Sequence, residues 1–198
     1  VGRFRYRDIN GDGTINDDDR TFIGSPHPDF TYGVNLRMAY KGFDMSAFFQ
    51  GSQGNDIFNN DKVYTDFPTF FNANRSVRVL DSWTPDNLDA ELPALSQSIT
   101  NNEGTANSFF VEDGSYMRLK NLQIGYTFDE EVSSYLGMDS VRLYLQGTNL
   151  FTITGYDGVD PELQPRLDGG AIDNLTIGVS DNNYPLAAIY SFGVNLKF

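Results

Sequence analysis

The segment Asp8-Ile-Asn-Gly-Asp-Gly-Thr-Ile-Asn-Asp-Asp-Asp19 sets oxygen-bearing side chains at the spacing of a calcium loop. Asp8, Asn10 and Asp12 fall where the first three side-chain ligands belong, and Gly13 falls at the sharp turn. Thr14 offers its carbonyl, Asn16 comes next, and Asp19 closes the loop where a glutamate is usual. An all-oxygen set suits a hard cation of flexible coordination, and the shorter Asp19 weakens the closing bidentate clamp. The flanks, Phe4 to Arg7 and Thr21 to Ile23, read as strand or irregular chain, so a lone loop is expected rather than a paired EF-hand. The same residues can also build Asx turns, with carboxylates accepting from nearby amides and no ion present. Both readings stand at this level.

Other chemistry is sparse. The chain has no cysteine, which removes thiolate metal ligands, thiol nucleophiles and disulfides. The one histidine, His27, lies between Pro26 and Pro28 and reads as part of a rigid turn. Loop carboxylates are abundant enough to contain a glycosidase pair, but nothing in their spacing fixes two at a working separation, so no enzyme is expected. Aromatic residues in polar stretches are better candidates for contact. Tyr64, Phe67, Phe70, Phe71, Trp83, Phe109, Phe110 and Tyr156 can pack a loop on itself, or stack on a sugar ring or a protein partner.

What positions these residues follows from where charge is absent. The 198 residues carry 14 basic and 27 acidic side chains, a formal charge of -13. That sign excludes a nucleic-acid backbone binder, which needs a basic footprint. The acids concentrate in residues 8–19, 51–113 and 154–184, which are also rich in Asn, Gly and Pro. Between them lie nearly uncharged aromatic stretches of period two. Phe30, Tyr32, Val34, Leu36, Met38 and Tyr40 alternate strictly with polar or small neighbours. Lys41-Gly42 forms a tight turn, and Phe43, Met45, Ala47 and Phe49 resume the apolar face, which predicts a β-hairpin. A third strand is predicted from Tyr116 to Phe128, then a short helical link from Glu130 to Met138. A fourth strand covers Val141 to Gln146, and a fifth runs from Ala188 to Phe198.

No run approaches 18 apolar residues, so a transmembrane helix is excluded. Two environments fit the strands. One is a secreted, calcium-stabilised β-sandwich binding module; the other is a transmembrane β-barrel with its apolar face in lipid. Strand lengths of about 9–11 residues favour the barrel. So do aromatics at strand ends (Phe30, Tyr40, Phe43, Tyr126, Phe128, Phe198) and short turns alternating with loops of dozens of residues. The expected fold class is therefore all-β: antiparallel strands of a large transmembrane barrel with long extracellular loops. In the terminal strand, Ser191, Gly193, Leu196 and Phe198 resemble the signal by which bacterial outer-membrane barrels are recognised for insertion.

Several motifs then fall together in order. Asp8-Ile-Asn-Gly-Asp-Gly-Thr-Ile, Gly24-Ser-Pro-His-Pro-Asp-Phe-Thr-Tyr-Gly33 and Lys41-Gly-Phe-Asp-Met-Ser-Ala-Phe-Phe-Gln-Gly51 come first. Phe110-Val-Glu-Asp-Gly-Ser-Tyr-Met-Arg-Leu-Lys-Asn-Leu122, Leu145-Gln-Gly-Thr-Asn-Leu-Phe151 and the last strand follow. Together they resemble the SusC/RagA family of TonB-linked outer-membrane transporters of Bacteroidetes, least clearly over 60–105 and 162–182. The resemblance implies that residues 1–198 are the C-terminal part of a barrel of about 22 strands, with plug and N-terminal regions upstream of Val1. It implies import of glycan or peptide fragments, a SusD-like surface lipoprotein as partner, and energy from the TonB complex. It also implies placement in the bacterial outer membrane, in contact with its lipid, and no nucleic-acid partner. Calcium in the 8–19 loop would be structural.

Overall fold

The computed structural model describes residues 1–67, 74–96, 101, 103–164, 167–168, 171–172, 176–181 and 183–198. The chain divides into two compact units. One comprises His27–Asn55, Asp113–Glu162 and Tyr184–Phe198, and the other Val1–Pro26, Asp56–Glu112 and Leu163–Asn183.

The first unit is a sheet of long antiparallel strands. They are β1 (Phe30–Tyr40), β2 (Phe43–Gln53), β5 (Tyr116–Thr127), β6 (Ser140–Thr148) and β11 (Ile189–Lys197), in that spatial order. A short β7 (Thr152–Thr154) pairs with the start of β5. All five predicted strands are present, with ends moved by up to three residues. The predicted helical link is α2 (Glu130–Tyr135), capped by the Asp129 side chain on the Val132 amide. The β1–β2 turn is made by Lys41 (φ 46) and Gly42 (φ 84), the pair of left-handed residues that a two-residue hairpin requires. Among the described residues no helix is long and apolar enough to cross a membrane.

Register places the alternating side chains on common faces. Leu36, Ala47, Leu122 and Gly147 lie in one row, and Met45, Ile124, Leu145 and Phe192 in the next. This apolar face stays open: Leu36 is 49% exposed, Leu145 62% and Phe192 65%. At the turn end, Phe43 stacks on Tyr126 with ring centres 4.6 Å apart, and Tyr126 meets Phe128 edge-on at 5.2 Å. The opposite face is polar. Arg142 reaches diagonally over Gly125 to grip the Asp44 carboxylate with two hydrogen bonds, and a Cβ at Gly125 would displace both charged groups. Gln123 and Gln146 sit side by side on the same face.

One irregularity escapes the sequence pattern. The β2–β5 register shifts between Phe48 and Phe49, so Asn121 opposes Phe48 and Leu119 opposes Phe49, leaving Lys120 as the extra residue. Such a bulge re-aims side chains locally.

The second unit corrects the expectation that 51–113 and 152–186 are simply long loops. It holds a small sheet of β10 (Val179–Ser180), β3 (Asp56–Asn59) and β4 (Val111–Asp113), with β10 parallel to β3. A helix α1 (Asp61–Thr65) and several 3-10 turns follow β3. The two-residue strands β8 (Leu167–Asp168) and β9 (Ala171–Ile172) pair with each other. Its core is aromatic: Phe110, Phe67 and Val63 are buried, with Phe4, Phe58 and Phe109 packed against them. Their rings meet mostly edge-to-face at 4.9–6.1 Å. Ion pairs close the rim. Arg78 holds buried Asp66 at 2.8 Å and Glu91 at 2.9 Å, and Lys62 meets Glu112 at 2.7 Å. Burial raises the Asp66 pKa, with Arg78 pulling against it.

Candidate functional site

In the Asp8–Asp19 loop the carboxylates are organised by backbone amides. Asp8 accepts from Gly11 at 2.6 Å and Gly13 at 2.8 Å, and Asp12 accepts from Thr14 at 2.7 Å. Asn10 accepts from Asp12 at 2.9 Å and Asn16 from Asp18 at 2.7 Å. Asp19 ties the two ends together, accepting from Ile9 at 2.8 Å and Asn16 at 2.9 Å. Those amides of Asn16 and Ile9 hold the Asp19 carboxyl below the usual carboxylate range. Gly11 and Gly13 take left-handed backbone (φ 78 and 81), which lets the chain coil around Asp8. Among the described residues no three or more His, Asp or Glu side chains converge in metal-holding geometry. The donor set suits calcium; the loop as it stands is a chain of Asx turns.

The other sequence candidates separate by burial. Phe67 and Phe110 lie inside the aromatic core, and Phe109 packs beside them. Tyr156 is buried, with its ring over Gly158. Trp83 is half-buried against Gly2, and Tyr64 is 41% exposed. Phe70 and Phe71 lie outside the described residues. Ser191, Gly193 and Leu196 all sit in β11, and Phe198 follows it, largely exposed. Gly193 has a visible structural task, since the Tyr144 ring covers its Cα and leaves no room for a side chain.

The cluster that motif reading missed is centred on Arg118. Its side chain is 4% exposed, and all three guanidinium nitrogens are used. Nε donates to Thr152 Oγ1 (2.7 Å), Nη2 to Asp160 Oδ1 (2.6 Å) and Nη1 to Glu162 Oε2 (2.9 Å). Lys120, turned by the bulge, donates to both oxygens of Glu162 at 2.7 Å. Asp160 also accepts from the amides of Glu162 (2.9 Å) and Leu186 (3.0 Å). Burial pushes the Asp160 carboxyl up, but the Leu186 amide, Arg118 and the Glu162 amide outweigh it and leave its pKa lowered. Its stabilising contribution is therefore complete above an unfolded carboxyl pKa of about 3.9, and is lost as pH falls through the lower folded value. A signal was present in the sequence: two bases spaced i, i+2 on one strand, and Asp160-Pro-Glu162 just beyond another.

Long antiparallel strands with one open apolar face and one ion-paired polar face are the features of a β-barrel wall segment. Comparison with known proteins agrees. No family model matches the chain. A TonB-dependent receptor of Formosa agariphila is 39% identical over 98% of this chain and 19% of its own length. TonB-dependent receptor SusC of Bacteroides thetaiotaomicron is 30% identical over 98% of this chain and 17% of its own. Among solved structures, the RagAB peptide importer in its open-open state superposes with TM-score 0.75 at 29% identity, covering 93% of this chain and 19% of that one. The chain is thus homologous, over nearly all its length, to a segment of the SusC/RagA-type TonB-dependent receptors. It spans about a fifth of the length of the curated relatives it matches, and those relatives are receptors rather than enzymes.

Proposed function

We propose that this chain is the C-terminal part of the barrel of an outer-membrane, TonB-dependent importer of nutrient oligomers, glycan or peptide fragments. In this reading a SusD-like surface lipoprotein shares substrate capture, and the inner-membrane TonB complex drives transport through regions beyond these residues. The observation that carries it is the open apolar face of β1, β2, β5, β6 and β11, which suits lipid and is poorly suited to water. Likeness to a peptide importer supports a peptide cargo, and likeness to receptors of the SusC type leaves glycan fragments in view. Within this reading β11, with Ser191, Gly193, Leu196 and Phe198, supplies the strand pattern that directs barrel assembly. The test uses the full-length receptor in its own outer membrane, with labelled peptides and oligosaccharides. Uptake of one class should collapse when the proton-motive force is dissipated, and a surface lipoprotein should co-purify. Uptake that persists without energy, or no uptake of either class, sinks the proposal.

The Asp8–Asp19 loop is proposed to take calcium by exchanging some of its amide contacts for ion contacts. Titration calorimetry on the full-length receptor should show binding at about 10⁻⁴–10⁻³ M, as in extracellular modules of this ligand type. The heat should vanish in the Asp8→Asn/Asp12→Asn double variant. An absence of heat in the parent protein leaves the Asx-turn reading alone.

A further inference from the structure

At the turn end of the sheet, α2 connects β5 to β6 and is held at both of its ends. The Asp129 side chain caps its start, and Gly137 stops it in left-handed backbone (φ 73). The Gly137 amide donates to the Ser134 carbonyl at 2.9 Å, and the Met138 amide to the Ser133 carbonyl at 3.0 Å. The Asp139 amide then donates to the Lys197 carbonyl at 2.8 Å, which fixes the return beside β11. The side chains of this short helix sort cleanly. Ser133 points inward and is 1% exposed. At about 100° per residue, Val132, Tyr135 and Leu136 share one flank, while Glu130, Glu131 and Ser134 share the other. The apolar flank is open, and Tyr135 is 91% exposed.

The level of that flank on the sheet says what it meets. The Phe128 amide bonds the Val141 carbonyl, Val141 pairs with Leu196, and these three side chains end the apolar face. The helix begins two residues past Phe128, about 7 Å along the strand direction. Phe128 belongs to the ring cluster of Phe43 and Tyr126. The same end carries two lysines: Lys41, its ammonium 5.3 Å from the centre of the Tyr40 ring, and exposed Lys197. Rings and lysines at the end of an apolar strand face mark the headgroup layer of a bilayer. A tyrosine flanked by valine and leucine has the amphipathic character that suits that layer.

We infer that α2 is an interfacial helix, whose Val132, Tyr135 and Leu136 flank dips into the lipid headgroup layer and continues the apolar face past the strand ends. The inference rests on the barrel reading given above. Glu130 and Glu131 face water on the other flank, so the helix lies along the membrane surface and anchors the β5–β6 connection at a set depth.

The experiment uses the full-length receptor in phosphatidylethanolamine–phosphatidylglycerol vesicles, spin-labelled at single cysteines; residues 1–198 contain none of their own. Labels are attached in Tyr135→Cys, Leu136→Cys, Glu131→Cys and, on the apolar face of β6, Leu145→Cys. Heat-modifiable gel mobility verifies that each variant has assembled. The Tyr135→Cys and Leu136→Cys labels should be relaxed by oxygen more than by a water-soluble nickel chelate, at a depth of about 5–10 Å in the headgroup–acyl boundary. The Glu131→Cys label should show the reverse order. A Tyr135→Cys label relaxed mainly by nickel overturns the inference. So does one that neither reagent reaches, because protein then covers the flank. Leu136→Cys decides between these results should Tyr135→Cys fail to assemble. Nickel access at Leu145→Cys defeats the barrel reading itself, whereas oxygen access there with nickel access at Tyr135→Cys defeats the interfacial helix alone.

Discussion

Leu36→Arg should prevent barrel assembly, whereas Asn35→Arg, one residue away, should leave it intact. Leu36 lies on the open apolar face of β1, four residues from Tyr40 and six from Phe30, the aromatic ends of the strand. If that face meets lipid, Leu36 sits near the middle of the hydrocarbon layer, where an arginine costs about 2–4 kcal/mol. Asn35 points to the opposite face, in the row of Phe48 and Asn121, where a charge can stay hydrated. Expression of both variants in the full-length receptor, scored by heat-modifiable mobility and protease resistance, reads the difference. Equal behaviour of the two would contradict a lipid-facing surface. A water-soluble sandwich would bury this same face in its core, so the parent protein then stays soluble without detergent, whereas a barrel needs detergent to be extracted.

The second large effect is expected at Phe110, which has no exposed surface and touches Phe58, Phe67 and Phe109. Phe110→Ala removes the centre of the aromatic cluster, and truncating a buried phenylalanine costs about 3–5 kcal/mol. The loss belongs to the unit of residues 1–26, 56–112 and 163–183, because the cluster lies wholly within it. Hydrogen exchange should therefore show that unit opening more readily, with the long strands unaffected. Tyr64→Ala, at a 41% exposed ring of the same unit, should change exchange little. Equal effects at both positions would mean that the aromatic cluster is not the core of that unit.

The long strands were legible because period two runs through each of them, broken only where Lys120 is inserted in β5, and the sheet has one apolar and one polar face. Period two survives in the sequence whichever solvent covers the apolar side, so the pattern located β1, β2, β5, β6 and β11 and left the environment to strand length and aromatic ends. The unit around Phe110 was not legible. Its strands are two to four residues long, too short for periodicity, and its core rings come from positions as distant as Phe4 and Phe110. Packing of the loop on itself was the favoured reading of Phe67 and Phe109, and they do pack so, but an aromatic in a polar stretch carries no mark of which partners it will meet. The Arg118 cluster escaped for a different reason. The paired bases and the Asp160-Pro-Glu162 turn are visible in the sequence, but the bulge appears only once β2 and β5 are paired, so nothing local says that they meet. In the Asp8–Asp19 loop the spacing was plain from the start, yet the same spacing suits Asx turns as well as a cation.

The sheet ends on β1 at one side and β11 at the other, and among the described residues neither has a neighbour on its outer edge. Each of these strands, nine to eleven residues long, offers a row of amides and carbonyls with no proline to interrupt it. Such margins are templates for adding further strands, from any chain of similar pattern. Left uncovered, these margins and the apolar face beside them make the sheet an aggregation hazard. A chain with such margins must have its β-prone segments shielded from other copies while they are uncovered, a demand that the contacts within the sheet do not meet.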